Sequence, residues 1–191
     1  MQKKYRIVEG PESIQGSPSW KEFRRGKMTA SMAASVMGID PWRTPLQLFN
    51  EWVIGGEKIV TPAMKRGTEL EPLARDLYNI RSGRNYVPVV IQSLINPILV
   101  VSLDGYWEDE FGQPHIIEIK CPSKQSHANA LKGKVEKHYY LQLQMQMDVV
   151  GVDQISYISF AYRFSQSIRM TNISTLRQRK RISKNTNIAK H

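Results

Sequence analysis

Asp104, Glu118 and Lys120 are the residues of this chain whose types and spacing are best suited to chemistry. They lie in one stretch, Ser102-Leu103-Asp104-Gly105, then a turn, then Ile116-Ile117-Glu118-Ile119-Lys120-Cys121-Pro122. Ile95 to Trp107 is rich in Val, Ile and Leu, and His115 to Lys120 is a second β-type run. Glu, Asp, Gly and Pro separate the two, which is a hairpin signal. A turn near Phe111 leaves Asp104 and Glu118 equally far from it, so their Cβ atoms would face each other at roughly 5 Å. Period-two alternation then puts Glu118 and Lys120 on one face and Ile117 and Ile119 on the other.

Two carboxylates this close repel and raise one pKa unless a cation compensates. A hard divalent ion meets that need, because Mg²⁺ takes oxygen ligands, keeps several waters and commonly uses one or two carboxylates plus phosphate oxygens. Lys120 would orient or deprotonate an attacking water while the ion stabilises charge on the phosphate. A solvated surface hairpin has the same E-x-K spacing, which is weak evidence alone. The Leu-Asp-Gly context and the apolar strand around it favour the site.

The rest of the chain must position these groups. Its 191 residues give room for one domain with appendages and a sizeable core, and 41% are hydrophobic. No run approaches the length needed to cross a bilayer, and Met1-Gln2-Lys3-Lys4-Tyr5-Arg6 lacks a signal-like apolar stretch, so the expectation is a soluble, cytoplasmic protein. The single cysteine, Cys121, excludes an internal disulfide and a cysteine-rich zinc site, and is expected to be a small buried residue at a strand end. Of the +10 net charge, eight Lys and Arg lie from Arg163 onward without an acid, leaving 19 basic against 17 acidic residues before it. Met170 to His191 therefore reads as a largely disordered basic tail that either screens phosphates or only aids solubility.

In order, residues 1–18 carry Gly10, Pro11, Gly16 and Pro18 and read as an irregular lead-in. Ser19 and Glu22 have capping-box spacing at the start of a short helix. Arg24, Arg25 and Lys27 precede Thr29-Ala30-Ser31, which opens an apolar helical stretch to Met37, and such a helix start can hold a phosphate. A loop from Gly38 to Pro45 leads to a helix from Pro45 to Ile54, and Trp42, Leu46, Phe49 and Trp52 are expected in the core. Thr61-Pro62 starts a longer helix closed by Gly83, with Leu70, Leu73, Leu77 and Ile80 at helical spacing and Pro72 awkward inside it. Glu71 lies at the edge of that apolar stripe. Ser123 to Lys137 reads as a lysine-rich loop or short helix, His138 to Val150 as a helix with Tyr139, Gln142 and Gln146 on one face, and Ile155 to Tyr162 as the last strand.

Five ordered blocks then resemble the YqaJ-like viral recombinase family, relatives of phage lambda exonuclease among the PD-(D/E)XK nucleases. They are Trp20-x3-Arg24-x-Gly26-x2-Thr29-Ala30-Ser31, Gly67-x3-Glu71, Ser102-Leu103-Asp104-Gly105, Glu118-Ile119-Lys120-Cys121-Pro122, and Tyr140-x-Gln142-x-Gln144. The likeness covers roughly Ser19 to Phe160, and five blocks in order are far more specific than one motif. It implies a restriction-endonuclease-like α/β fold, a mixed central sheet flanked by helices, with a nuclease domain at 19–165 between the lead-in and a tail at 166–191. By resemblance, Asp104 and Glu118 bind metal together with the backbone carbonyl of Ile119, and Lys120 is the catalytic lysine. Glu71 supports the metal site indirectly, Gln142 stands near it, and Arg24, Ser31 and Ser102 bind a terminal 5′-phosphate.

The resemblance further implies an Mg²⁺-dependent exonuclease, with Mn²⁺ as a substitute. It would degrade the 5′-ended strand at double-stranded DNA ends and leave 3′ overhangs for a single-strand annealing protein in recombination. A ring-shaped homotrimer is part of that pattern, as is a bacterial host cytoplasm if the gene is phage or prophage encoded. The sequence departs from the pattern after the last matched strand, where relatives continue with ordered apolar elements and this chain turns basic. A structure-specific endonuclease, a catalytically decayed DNA-binding module and a basic scaffold without nucleic-acid chemistry are the alternatives.

Overall fold

Among the described residues seven strands form one mixed sheet, and the two acids lie where its central strands part. The structure is a computed structural model that describes residues 3–55, 60–161 and 169–176. The strands are β1 (Tyr5–Val8), β2 (Met28–Thr29), β3 (Val87–Ser93), β4 (Leu99–Glu108), β5 (Pro114–Lys120), β6 (Gln154–Ala161) and β7 (Arg169–Leu176). The order is β1-β3-β4-β5-β6-β7, with β2 beside the start of β4. β5 and β6 pair in parallel, as do β2 and β4, and the other pairs are antiparallel.

The helices are α1 (Pro18–Phe23), α2 (Ala33–Val36), α3 (Pro45–Asn50), α4 (Pro62–Ser82), α5 (Lys124–Leu131) and α6 (Lys137–Val150). α4 starts where Thr61 accepts a hydrogen bond from the Met64 N–H and ends at Gly83, whose φ of 67° is the left-handed stop that favours glycine. Pro72 is accommodated inside it. α6 packs Leu143, Met147 and Val150 against Val101, Leu103, Tyr106, Ile116 and Tyr157 on one face of the sheet. α4 covers the other face, with Ala74 and Tyr78 against Ile117, Ile119, Ile158 and Phe160. Ile116 and Ile117 thus belong to opposite cores, the alternation expected for β5.

Several expectations are corrected. Residues 1–18 are not an irregular lead-in, because Tyr5–Val8 pairs with β3 and Gly10–Ser13 forms a 3₁₀ turn. Ser17, not Ser19, caps α1, its hydroxyl accepting from the Trp20 N–H with Pro18 at the first helical position. Ala30–Met32 is a 3₁₀ turn between β2 and α2 rather than one continuous helix. The sheet does not end at Tyr162, which lies outside the described residues, nor is the segment from Met170 wholly irregular. Eight residue pairs join β7 to β6, from Gln154↔Leu176 to Ala161↔Arg169. Residues 177–191 lie outside the described residues.

Trp42, Leu46, Phe49 and Trp52 are not core. Their exposures are 71%, 68%, 54% and 37%, and Leu48 is the buried residue of α3. The helical spacing was real, but the covered side of so short a helix depends on what it packs against. Leu73 and Ile80 of α4 likewise face outward, and Leu70, Ala74, Leu77 and Tyr78 form its packed stripe. Among the described residues no helix is long and apolar enough to cross a membrane.

Candidate active site

β4 and β5 come apart at the residues the site needs. Their ladder runs from Glu108↔Pro114 to Gly105↔Ile117, and one further step in that register brings Asp104 opposite Glu118. There the Ile119 N–H donates to Asp104 Oδ2 at 2.7 Å, a side chain taking the place of a main-chain rung. On the other edge of β4, Leu103 pairs with Val89 and Tyr106 with Val87, so three residues of β4 advance for two of β3. Asp104 and Gly105 therefore sit in a β-bulge, a device that re-aims a side chain beside a site. Gly105 has no alternative, since a Cβ there would come within 2.5 Å of Ile117 Cγ1 and 2.9 Å of Tyr86 Cβ.

Glu118 is 1% exposed, and three side chains converge on it. Gln142 Nε2 donates to Oε1 at 2.5 Å, Gln146 Nε2 donates to Oε2 at 2.6 Å, and the Lys120 ammonium pairs with Oε1. Lys120 also lies 5.3 Å from the centre of the Tyr139 ring. Glu71, half-buried on α4, accepts from Arg75 at 3.0 Å, and the same guanidinium donates to the Asp104 carbonyl oxygen at 2.5 Å. Arg75 thereby clamps the helix-borne acid to the bulge.

Burial pushes the Asp104 carboxyl well above the usual carboxylate range, and the charges of Glu118 and Glu71 add to this. Lys120 and the Ile119 N–H oppose it. Burial lowers the Lys120 pKa, but the Glu118 and Asp104 charges and the Glu118 hydrogen bond outweigh it, so the ammonium is held above its ordinary value. One lysine does not offset the buried acids, and this is the condition a divalent cation relieves. The residues fit such an ion. Among the described residues no three His, Cys, Asp or Glu side chains form a cage. A carboxylate pair would leave the remaining positions to water and phosphate oxygens, the Mg²⁺ pattern. Cys121, partly buried beside the site, has its thiol pushed up to about 11 chiefly by burial, so it remains a protonated packing residue at neutral pH.

A second polar group lies two residues up β4. Trp20 Nε1 donates to Ser102 Oγ at 3.2 Å, and the Arg24 guanidinium stacks 4.0 Å from the centre of the same indole. Burial lowers the Arg24 pKa to about 10, so it remains a cation at neutral pH. Ser102 and Asp104 are alternate residues of one strand, roughly 7 Å apart along it. Ser31 is exposed, its hydroxyl 3.1 Å from that of Thr29, and β2 lies beside β4 at Thr29↔Val100.

The structure thus brings Asp104, Glu118, Lys120, Glu71 and Gln142 to one place and joins Arg24 to Ser102 through Trp20. Arg75 and Gln146 were not assigned a part from sequence. Each lies four residues after a chosen one, Glu71 and Gln142, and the i,i+4 spacing on a helix is the signal that finds them.

The fold is the restriction-endonuclease-like one, with two acids and a lysine gathered at the fork between β4 and β5. The YqaJ-like viral recombinase domain matches residues 19–153, and the chain belongs to that family. An alkaline exonuclease from Laribacter hongkongensis, LHK-Exo, solved in complex with dAMP, is similar at 31% identity and a TM-score of 0.71, over 85% of this chain and 83% of that one. A second LHK-Exo structure aligns at 30% identity with a TM-score of 0.67, over the same shares of the two chains. A phage-related exonuclease from Haemophilus somnus 129PT shares the fold at 17% identity and a TM-score of 0.58, over 80% of this chain and 85% of that one. None of the curated proteins compared with the chain matches it. The protein is a phage-type exonuclease.

Proposed function

We propose that the chain is an Mg²⁺-dependent exonuclease that removes nucleotides from the 5′-ended strand of linear double-stranded DNA, leaving 3′ overhangs for an annealing partner in recombination. The observation that carries this reading is the buried Asp104–Glu118 pair with Lys120 against it, two residues along β4 from a serine joined through Trp20 to the half-buried Arg24 guanidinium.

Asp104, Glu118 and the Ile119 carbonyl would hold the ion, Mg²⁺ or in its place Mn²⁺, with Glu71 acting on the site indirectly. When bound, the ion would polarise the phosphate and make a nucleophile available near neutral pH. Gln142 and Gln146 fix the direction of the Glu118 oxygens, and Arg75 fixes Glu71 against Asp104. Lys120 presents an ammonium that orients water and donates toward the phosphate. Water oxygen adds to phosphorus as the bond to the 3′-oxygen breaks, and the 3′-oxygen leaves with a proton. The shortened strand then carries a new 5′-phosphate, the dianion suited to Arg24 with Ser102 and Ser31. The released species is a nucleoside 5′-monophosphate, the class to which the dAMP of LHK-Exo belongs. A homotrimer around the duplex is part of the same proposal.

The test uses linear duplex labelled at the 5′ or the 3′ end, with and without a 5′-phosphate. In Mg²⁺ the 5′ label is expected first, as mononucleotide. Early release of the 3′ label would overturn the polarity. Arg24→Ala is expected to bring the rates on 5′-phosphorylated and 5′-hydroxyl ends close together, and an unchanged preference would remove Arg24 from the pocket.

A further inference from the structure

The loop joining α2 to α3 carries a tryptophan that the mechanism above does not use. Trp42 is 71% exposed, yet its place is built. Its backbone N–H donates to Asp40 Oδ1 at 2.9 Å, and the Ser35 hydroxyl donates to Asp40 Oδ2 at 2.5 Å. Arg43 Nε donates to Ser35 Oγ at 3.0 Å, and Arg43 Nη1 to Glu51 Oε2 at 2.8 Å. Ser35 is fully buried, so the anchor of this network lies inside the protein while the indole stands outside.

Aromatic rings lead from Trp42 to the reactive lysine. Trp42 meets His138 with centroids 4.8 Å apart and planes at 82°, and His138 lies 4.1 Å from Tyr139, whose ring is beside the Lys120 ammonium. A T-shaped contact covers at most one face of the indole. Lys137, exposed at the first residue of α6, adds a positive charge next to His138.

We propose that Trp42 is a stacking platform for an unpaired nucleobase of the strand whose phosphate reaches Lys120. This rests on the nuclease reading above. Asp104 and Glu118 are buried, so a phosphodiester reaches them only if the terminal nucleotides leave the duplex stack, and an unstacked base exposes π faces. Stacking on an exposed aromatic accepts any base, which suits an enzyme that must proceed through arbitrary sequence. The competing occupant is a second copy of this chain, packed on Trp42 together with the exposed Leu46 and Phe49 of α3. The run of rings to Lys120 and the adjacent Lys137 favour DNA.

The experiment compares wild type, Trp42→Ala and Trp42→Phe on 5′-phosphorylated duplex carrying 2-aminopurine at its two 5′-terminal positions. Binding is read by fluorescence in Ca²⁺, turnover in Mg²⁺, and molecular mass by light scattering. Trp42→Ala is expected to raise KM about tenfold with kcat within about twofold and to lose the 2-aminopurine signal. Trp42→Phe should retain the signal, and the mass should be unchanged. An unaltered KM and signal in Trp42→Ala, or a changed mass, would overturn the platform, and the changed mass would assign the ring to contact between copies. Wild type inert on DNA in Mg²⁺ would overturn the nuclease reading beneath it, an outcome distinct from an active wild type indifferent to Trp42.

Discussion

Glu118 accepts hydrogen bonds from Gln142, Gln146 and Lys120 while almost wholly removed from water. Its oxygens therefore have a fixed direction before any ligand arrives, and the groups that fix it matter nearly as much as the carboxylate. Gln146 is fully buried and donates to the oxygen that Lys120 and Gln142 do not reach. Gln146→Leu keeps comparable volume and removes that donor. The Mg²⁺ concentration for half-maximal cleavage should rise about 10- to 100-fold, and an unchanged Mg²⁺ dependence would show that Gln146 only fills space. Lys120→Ala removes the sole ammonium paired with Glu118 in the described residues. Cleavage should fall by at least about 100-fold, while DNA binding measured by anisotropy persists. Retained turnover would refute the role given to Lys120.

At the scale of elements, the site exists because β4 carries one residue more than β3 between Leu103 and Tyr106. Gly105 takes the tight place in that bulge, with Ile117 and Tyr86 where a Cβ would go. Gly105→Ala should lower stability by about 1–3 kcal/mol, the usual cost of overpacking a filled core. It should also lower activity, because Asp104 is its neighbour. A melting temperature equal to wild type would contradict this account of the bulge. The hairpin, α4 and α6 were legible in the sequence because their signals are local: Thr61-Pro62 and Gly83 bound α4, and Glu118-x-Lys120 alternates with isoleucines. The bulge was not, since it is visible only when the register with β3 is known. β1 is four residues long and gains its place only by pairing with β3. In Arg169–Leu176, Thr171, Ile173 and Thr175 are β-branched, but the surrounding basic charge dominates a reading by composition. The exposed side of α3 was illegible for a related reason, because spacing defines a helical stripe without saying what covers it.

For the whole molecule, the sheet extends from Tyr5 to Leu176, so segments read as lead-in and tail contribute its two outer strands. α6 and α4 close its two faces, and the acids lie in the fork between β4 and β5. This architecture converts two distant carboxylates and a lysine into one buried, incompletely neutralised group, and the account depends on a divalent cation completing it. The direct measurement follows mononucleotide release from 5′-phosphorylated linear duplex by wild type and Asp104→Asn, in Mg²⁺, then in chelator, then with Mn²⁺ restored. Wild type should cleave in Mg²⁺, stop in chelator and recover in Mn²⁺, and Asp104→Asn should be inactive throughout while remaining folded. Cleavage that continues in chelator, or full activity in folded Asp104→Asn, would contradict the claim that the paired acids hold the catalytic ion.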